Sequence, residues 1–219
     1  MIENIKKIGI SMRVLEEINY DEPRDALAHN WHQFLVWALG NSVSWILIPN
    51  IGKKKTKVFI HQQQLTGFIL SGGNDIGEYP IRDETETALI EYAMAYNFPV
   101  IGVCRGLQML WKNFGGQIIP VNTGKHIAKR HRVKITEPIK GLLRRGLEIE
   151  VNSFHGNGLL ATELTSPIKL FAHADDGEIE GVIWQEMKVL GMMWHPEREL
   201  PFSNLDKKLF RWALLGEVS

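Results

Sequence analysis

Cysteine is almost missing from this 219-residue chain: Cys104 stands alone. A disulfide within the chain is therefore excluded, and nothing in the thiol content points to an oxidising compartment. Net charge is also missing, because 25 Lys and Arg offset 25 Asp and Glu. The chain thus has no global field to draw it to nucleic acid or to a membrane surface. No apolar run approaches the length of a membrane span, and the start, Met1 to Lys7, is polar with no leader-like hydrophobic stretch. A cytoplasmic protein is the expectation. Repeats, low-complexity tracts and Pro/Ser-rich linkers are absent too, so residues 1–219 read as a single domain.

What is present has a clear rhythm. Short apolar runs at Ile8–Met12, Val43–Ile48, Gly67–Leu70 and Val100–Val103 alternate with helix-spaced stretches at Asp25–Leu39, Lys57–Gln64 and Thr85–Tyr96. That alternation predicts βαβ units around a largely parallel sheet, an α/β fold. After Gly115-Gly116 the texture changes to five short strand-like runs: Arg132–Ile135, Leu147–Val151, Ile168–Ala174, Ile179–Gln185 and Val189–Trp194. These predict an antiparallel extension, with a turn at Asp175-Asp176-Gly177 and a closing helix over Leu205–Leu215.

Cys104 sits where the run Val100–Val103 stops at Gly102-Val103-Cys104-Arg105-Gly106 and a helix-favouring stretch, Leu107–Asn113, begins. A strand that turns sharply into a helix aims its corner residue out of the sheet edge, and flanking glycines permit the turn and the close packing around it. The helix start also favours a thiolate over a thiol. A nucleophile is the expected role; a small buried hydrophobe is the alternative.

A cysteine nucleophile needs a base and a group that orients the base. His195 ends the run Lys188–Trp194, and Glu197 lies two residues on, past Pro196. That places an imidazole and a carboxylate at the C-terminal end of a strand, the edge where Cys104 is expected to emerge. Gly102-Val103-Cys104-Arg105-Gly106-Leu107-Gln108 and Trp194-His195-Pro196-Glu197 together resemble the class I glutamine amidotransferase-like superfamily, and within it the γ-glutamyl hydrolase branch. Ser71-Gly72-Gly73-Asn74-Asp75-Ile76, Arg82-Asp83-Glu84-Thr85-Glu86, Val151-Asn152-Ser153-Phe154-His155 and Asp176-Gly177-Glu178-Ile179-Glu180 are similar to further motifs of that branch, in the same order.

The resemblance implies a flavodoxin-like sheet flanked by helices and a Cys104–His195–Glu197 triad. It further implies backbone N–H groups of Gly73 and Arg105 at the oxyanion and hydrolysis of a small γ-glutamyl conjugate through a glutamyl thioester. Gln108, Asn152, Ser153 and His155 are the candidate substrate contacts; for Gln108 a structural amide and for His155 a surface role stand as equal alternatives. No cofactor is expected. His126, His131, His155 and His173 are scattered, with neither a His-Glu-x-x-His helix nor paired cysteines, so no metal site is expected either. Two departures from the branch alter the pocket wall: Gly156 follows His155, and Met193 stands two residues before His195.

Lys125, His126, Lys129, Arg130, His131, Arg132 and Lys134 crowd one short segment. A solvated face is one reading. The other places Arg130 and Arg132 at the active-site mouth, with Arg13, Tyr20 and Arg24, to hold a phosphate-bearing leaving group such as the nucleotide of a γ-glutamyl nucleotide amidate used for capsule phosphoramidates. A γ-glutamyl polyamine or amino acid is the plainer substrate. A glutaminase subunit feeding ammonia to a synthase, and a non-catalytic thiol sensor, are the rival functions.

Overall fold

The computed structural model describes residues 5–121, 123–139, 141–160 and 167–217; residues 1–4 of the polar start lie outside it. In chain order the first half runs β1 (Lys6–Ser11), β2 (Arg13–Leu15), β3 (Arg24–Ala26), α1 (His29–Leu39), β4 (Val43–Ile48), α2 (Gly52–Gln63), β5 (Gly67–Leu70), α3 (Pro80–Tyr96), β6 (Val100–Val103) and α4 (Arg105–Asn113). The second half runs β7 (Gln117–Pro120), α5 (Thr123–His126), β8 (Ile127–Ile135), β9 (Glu148–Phe154), β10 (Asn157–Leu160), β11 (Lys169–Ala174), β12 (Ile179–Trp184), β13 (Val189–Met192) and α6 (Asn204–Leu215).

Nine strands form one sheet in the order β4-β1-β5-β6-β13-β12-β11-β8-β9. The first five are parallel, and from β13 onward each pairing is antiparallel. The alternating first half and the strand-rich second half of the sequence thus correspond to two parts of a single sheet. Every residue of β5 and β6 is buried, as expected of parallel strands covered on both faces. Ile69, Ile101 and Val103 face α1 and α6 through Trp31, Phe34 and Phe210. Phe68, Leu70 and Val100 face the other way, toward Ile60, Leu89 and Leu110 of α2, α3 and α4. Among the described residues no helix is long and apolar enough to cross a membrane.

Some elements differ from expectation for local reasons. The helix expected from Asp25 begins at His29, because Arg24–Ala26 pairs with Arg13–Leu15 in a small hairpin. α3 begins five residues before Thr85, at Pro80, whose fixed φ and missing N–H suit a helix start. β7 and β10 pair with each other outside the main sheet.

Candidate active site

Cys104 occupies a backbone conformation that side-chain-bearing residues rarely adopt, with φ 52° and ψ −109°, between the last residue of β6 and the first of α4. The main chain around it leaves no freedom. Its N–H donates to Met192 O at 2.7 Å, and its carbonyl accepts from Gln108 N at 3.1 Å. A Cβ on Gly106 would lie 2.0 Å from Leu70 O, and one on Gly102 would lie 2.6 Å from the Gly106 carbonyl. The two glycines therefore let α4 press onto β5 and β6, which holds the corner in place. Cys104 is 7 % exposed rather than projecting freely, and what exposure it has opens into a cleft.

β13 lies beside β6 with Met192 opposite Val103, so the chain leaving β13 arrives next to Cys104. His195 is buried and faces the same cleft. Its Nδ1 meets Glu197 Oε1 at 2.7 Å across a 3₁₀ turn that starts at Pro196. Burial alone would lower the His195 pKa. The charges of Glu197 and then of Cys104, with hydrogen bonds to both, outweigh it and raise the value to about 9. The ring is thus held as an imidazolium at neutral pH. Phe154 packs its ring at right angles to the imidazole, with centroids 5.7 Å apart.

Asn152 proves to hold His195 rather than line the pocket. Its Oδ1 accepts from His195 N at 2.9 Å, and its Nδ2 donates to His195 O at 2.9 Å and to Glu199 Oε2 at 2.8 Å. Ser153 is fully buried and donates to His126 O at 2.7 Å, so it does not reach the cleft as a substrate contact. Gln108 borders the cleft, but its Nε2 donates to Asn157 O at 2.9 Å, tying α4 to β10 in the structural role left open above.

The Gly-Gly loop packs against both candidates. A Cβ on Gly72 would stand 2.8 Å from His195 Cε1 and 3.6 Å from Cys104 Cβ. Gly73 has φ +90°, and the Arg13 guanidinium lies over it. The loop is pinned from behind by Arg82, which donates to the carbonyls of Ser71 at 2.9 Å, Gly72 at 3.1 Å and Gly73 at 2.6 Å. Arg82 is fully buried, and burial lowers its pKa against the opposing pull of Glu86. Glu86 accepts from Ser11 Oγ at 2.8 Å, from Arg82 Nε at 3.2 Å and from Arg105. Its burial favours the neutral acid, but Arg105 and Arg82 overcome that and hold its pKa down. The Arg-Asp-x-x-Glu segment is therefore a brace: one buried cluster fixes the Gly-Gly loop and, through Arg105, the start of α4. That leaves the Arg105 side chain paired with Glu86 and Asp83, and its N–H at a helix start where no carbonyl of the same helix precedes it.

The cleft has a volume of about 340 Å³ and joins Cys104 and His195 to Arg13, Asp75, Glu78, His155, Asn157 and Arg198. Arg198, Phe154 and Asn157 carried no signal in the sequence, since each gains its place only through the fold. Arg130 and Arg132 are not at the mouth. They lie on β8 in the antiparallel part of the sheet, Arg130 paired with Glu150 and Glu199 at 2.6 Å each and Arg132 with Asp175 at 3.0 Å. Tyr20 and Arg24 are likewise elsewhere, bonded to each other at 2.7 Å beside Glu17 and Glu22. His155 is buried, with its ring reaching Glu180 behind the cleft wall, so it is no surface residue.

Residues 8–197 match the Peptidase C26 family. The glutamine amidotransferase-like protein YvdE of Lactococcus lactis is 32 % identical over 177 residues, 68 % of this chain and 73 % of that protein. The γ-glutamyl-CDP-amidate hydrolase of Campylobacter jejuni is 28 % identical over 204 residues, 90 % of this chain and 93 % of its own. Among solved structures, a glutamine amidotransferase of Thermotoga maritima superimposes with a TM-score of 0.66 at 17 % identity, over 95 % of this chain and 82 % of that one, which is a likeness of fold.

Proposed function

The chain belongs to the Peptidase C26 family, within the γ-glutamyl hydrolase branch of the class I glutamine amidotransferase-like superfamily, and on that footing we propose that it hydrolyses a γ-glutamyl amide through a Cys104 thioester. The observation that carries this reading is the fixed His195. Its ring is aligned by Glu197, and both its main-chain groups are held by Asn152, in the cleft that Cys104 enters.

In the proposed reaction the Cys104 thiolate attacks the γ-carbonyl carbon, and the carbonyl electron pair moves onto oxygen. Backbone N–H groups of Gly73 and Arg105 receive that oxyanion; loss of one such donor costs about 3 kcal/mol in the barrier. His195 gives its proton to the departing nitrogen as the C–N bond breaks, which leaves the amine and a glutamyl thioester. Neutral His195 then takes a proton from water, hydroxide adds to the thioester, and glutamate leaves as Cys104 regains its charge. Glu197 keeps the imidazole oriented and stabilises its positive form in both halves.

The walls suit an amino-acid end. Arg13 and Arg198 offer positive charge and Asp75 and Glu78 negative charge around one cleft, the complement of an α-carboxylate and an α-ammonium. Arg13 Nε is buried without a hydrogen-bond partner, so a carboxylate there would satisfy it. A second cavity, of about 500 Å³, shares Asp75, Gln108 and Asn157 with the first and adds Lys112, giving room for a leaving group of nucleotide size. Together with the Campylobacter relative, this favours a γ-glutamyl nucleotide amidate over a γ-glutamyl amino acid or polyamine.

A diazo-ketone analogue of glutamine should label Cys104 alone on tryptic mass mapping, and Cys104→Ser should fold normally with no turnover. Label on any other residue would overturn the assignment. The glutaminase reading has support in the amidotransferase-like relative, and one comparison separates it. Rapid release of glutamate from free glutamine with no conjugate cleavage would favour it over a hydrolase.

A further inference from the structure

The histidines that are scattered in sequence are gathered in space. Around Glu180 of β12 stand His126 from the end of α5, His131 from β8 and His155 from the turn between β9 and β10. We propose that His126, His131 and His155, with the Glu180 carboxylate, form a binding site for one divalent transition-metal ion, Zn²⁺ being the best chemical match.

The spacing is that of a ligand set. Glu180 Oε1 lies 3.2 Å from His131 Nε2, 3.3 Å from His155 Nε2 and 3.7 Å from His126 Nδ1. Metal–ligand bonds of about 2.1 Å at tetrahedral angles put donors roughly 3.4 Å apart. Donor atoms of His126, His131 and Glu180 all lie within 4.8 Å of one another and form the core of the site, which His155 joins from the Glu180 side.

These contacts are short, yet they lack the alignment of hydrogen bonds. His126 Nδ1, His131 Nε2, His155 Nε2 and both Glu180 oxygens are buried with no hydrogen-bond partner. So many orphaned buried groups at one point would be costly, and a cation among them would satisfy them together. Glu180 is fully buried, and His126 and His155 nearly so.

The far sides of two of the three rings support the same reading, while His131 Nδ1 has no partner. His126 presents Nε2 to Asp176 Oδ2 at 3.1 Å, and His155 presents Nδ1 to Asn157 O at 3.1 Å. An acceptor there takes the ring proton and leaves the lone pair of the other nitrogen turned inward, as in carboxylate–histidine–zinc arrangements. Asp176 already has Lys125 Nζ at 3.5 Å, whereas the buried Glu180 carboxylate faces only imidazoles, and a cation among them would balance its charge. Imidazole nitrogens with one carboxylate oxygen suit Zn²⁺ better than the harder Ca²⁺ or Mg²⁺. Strand pairing explains how Glu180 comes to point there. β11 and β12 shift register around Ala172 and His173, opposite Glu180, and such irregularities re-aim a side chain.

An ion has a way in. A cavity of about 480 Å³ is lined by His126, His131 and Asp176. The bound ion would tie α5, β8, β12 and the β9–β10 turn together, and through His155 it would stiffen one wall of the Cys104 cleft. The site stands apart from the reading of Cys104, so either can fail alone.

The test is a Zn²⁺ titration of the chelator-stripped full chain by calorimetry, in wild type and in Cys104→Ser to remove the thiolate as a competing ligand. About one Zn²⁺ should bind per chain in both. Co²⁺ should give the visible bands of a tetrahedral site without thiolate charge transfer. Binding should vanish in Glu180→Gln and His131→Ala, and weaken by about 10–100-fold in Asp176→Asn. Zn²⁺ should raise the Tm of wild type but not of His131→Ala, which lies at the cavity and keeps the test open if Glu180→Gln does not fold. No Zn²⁺ bound, binding lost in Cys104→Ser, or affinity unchanged in His131→Ala would each overturn the site.

Discussion

His195 concentrates the chemistry of the cleft in one titration. Its pKa, raised to about 9, rests on two negative neighbours opposed by burial. Because the folded value exceeds the ordinary 6.5, the pair stabilises the fold fully below about pH 6.5 and loses that contribution as pH rises through about 9. In the proposed reaction this proton goes to the leaving nitrogen, so kcat/KM should fall along an alkaline limb near pH 9. Glu197→Gln removes the larger of the two raising charges. That limb should move toward neutral pH and kcat should drop by roughly 10²–10⁴-fold without vanishing, because orientation is lost while the imidazole remains. A pH–rate profile with an unmoved limb would take Glu197 out of this role. Cys104 and His195 are candidates from the sequence because each sits at the abrupt end of an apolar run, with Glu197 two residues on, and the structure sets Cys104 and His195 in one cleft with Glu197 on the imidazole. Asn152 is not legible in this way: its role depends on a residue 43 positions away, which no local pattern encodes.

At the scale of elements, short buried strands announced themselves. β5 and β6 coincide with the apolar runs that predict them, since a strand covered on both faces must be apolar throughout, and β4 coincides too although it is an edge strand with Ser44 and Leu47 exposed. β7 and β10, four residues each, were not legible: they pair only with each other, and neither is apolar or alternating enough to stand out. The Arg-Asp-x-x-Glu segment was visible as a motif, but not its purpose as a brace between α3, the Gly-Gly loop and α4. That purpose can be tested at Glu86. Glu86→Gln keeps the shape but removes the charge between two buried guanidinium groups, and breaking a buried pair from one side costs about 3–5 kcal/mol. Denaturant unfolding should register that loss. Because the loop carrying Gly73 is held by Arg82, kcat should fall as well, more than KM rises. A stability loss with unchanged kcat would separate the brace from the oxyanion loop.

Over the whole molecule, the sheet decides which cations reach the chemistry. Sequence order set the basic segment soon after the nucleophile helix, which suggested nearness to Cys104. Side-chain direction keeps it out: Arg130 is held by Glu150 and Glu199 and Arg132 by Asp175, and neither lines the Cys104 cleft, although Phe154 of the neighbouring β9 does. Besides Arg105, whose side chain is spent on Asp83 and Glu86, the cleft is lined by Arg13, whose hairpin follows β1 at the same sheet edge, and Arg198, two residues beyond the Pro196 that ends the run carrying His195. Arg132, exposed and paired with Asp175, should tolerate Arg132→Glu with kcat/KM changed by no more than about twofold, the scale of a surface ion pair. Arg130 is a different case, because its partner Glu199 also receives the Asn152 amide that holds His195. Arg130→Glu should therefore slow neutral and phosphorylated γ-glutamyl amides by the same factor, since it disturbs the base and not the leaving group. Arg13→Met should instead raise KM by about tenfold or more for every substrate bearing a free α-carboxylate, with kcat less affected, as the loss of a charge-assisted contact implies. Rates measured on one neutral and one phosphorylated conjugate decide among these. If Arg130→Glu penalised only the phosphorylated substrate, the basic strand would have to reach the leaving group after all, and the assignment of the cleft to Arg13 and Arg198 would fall.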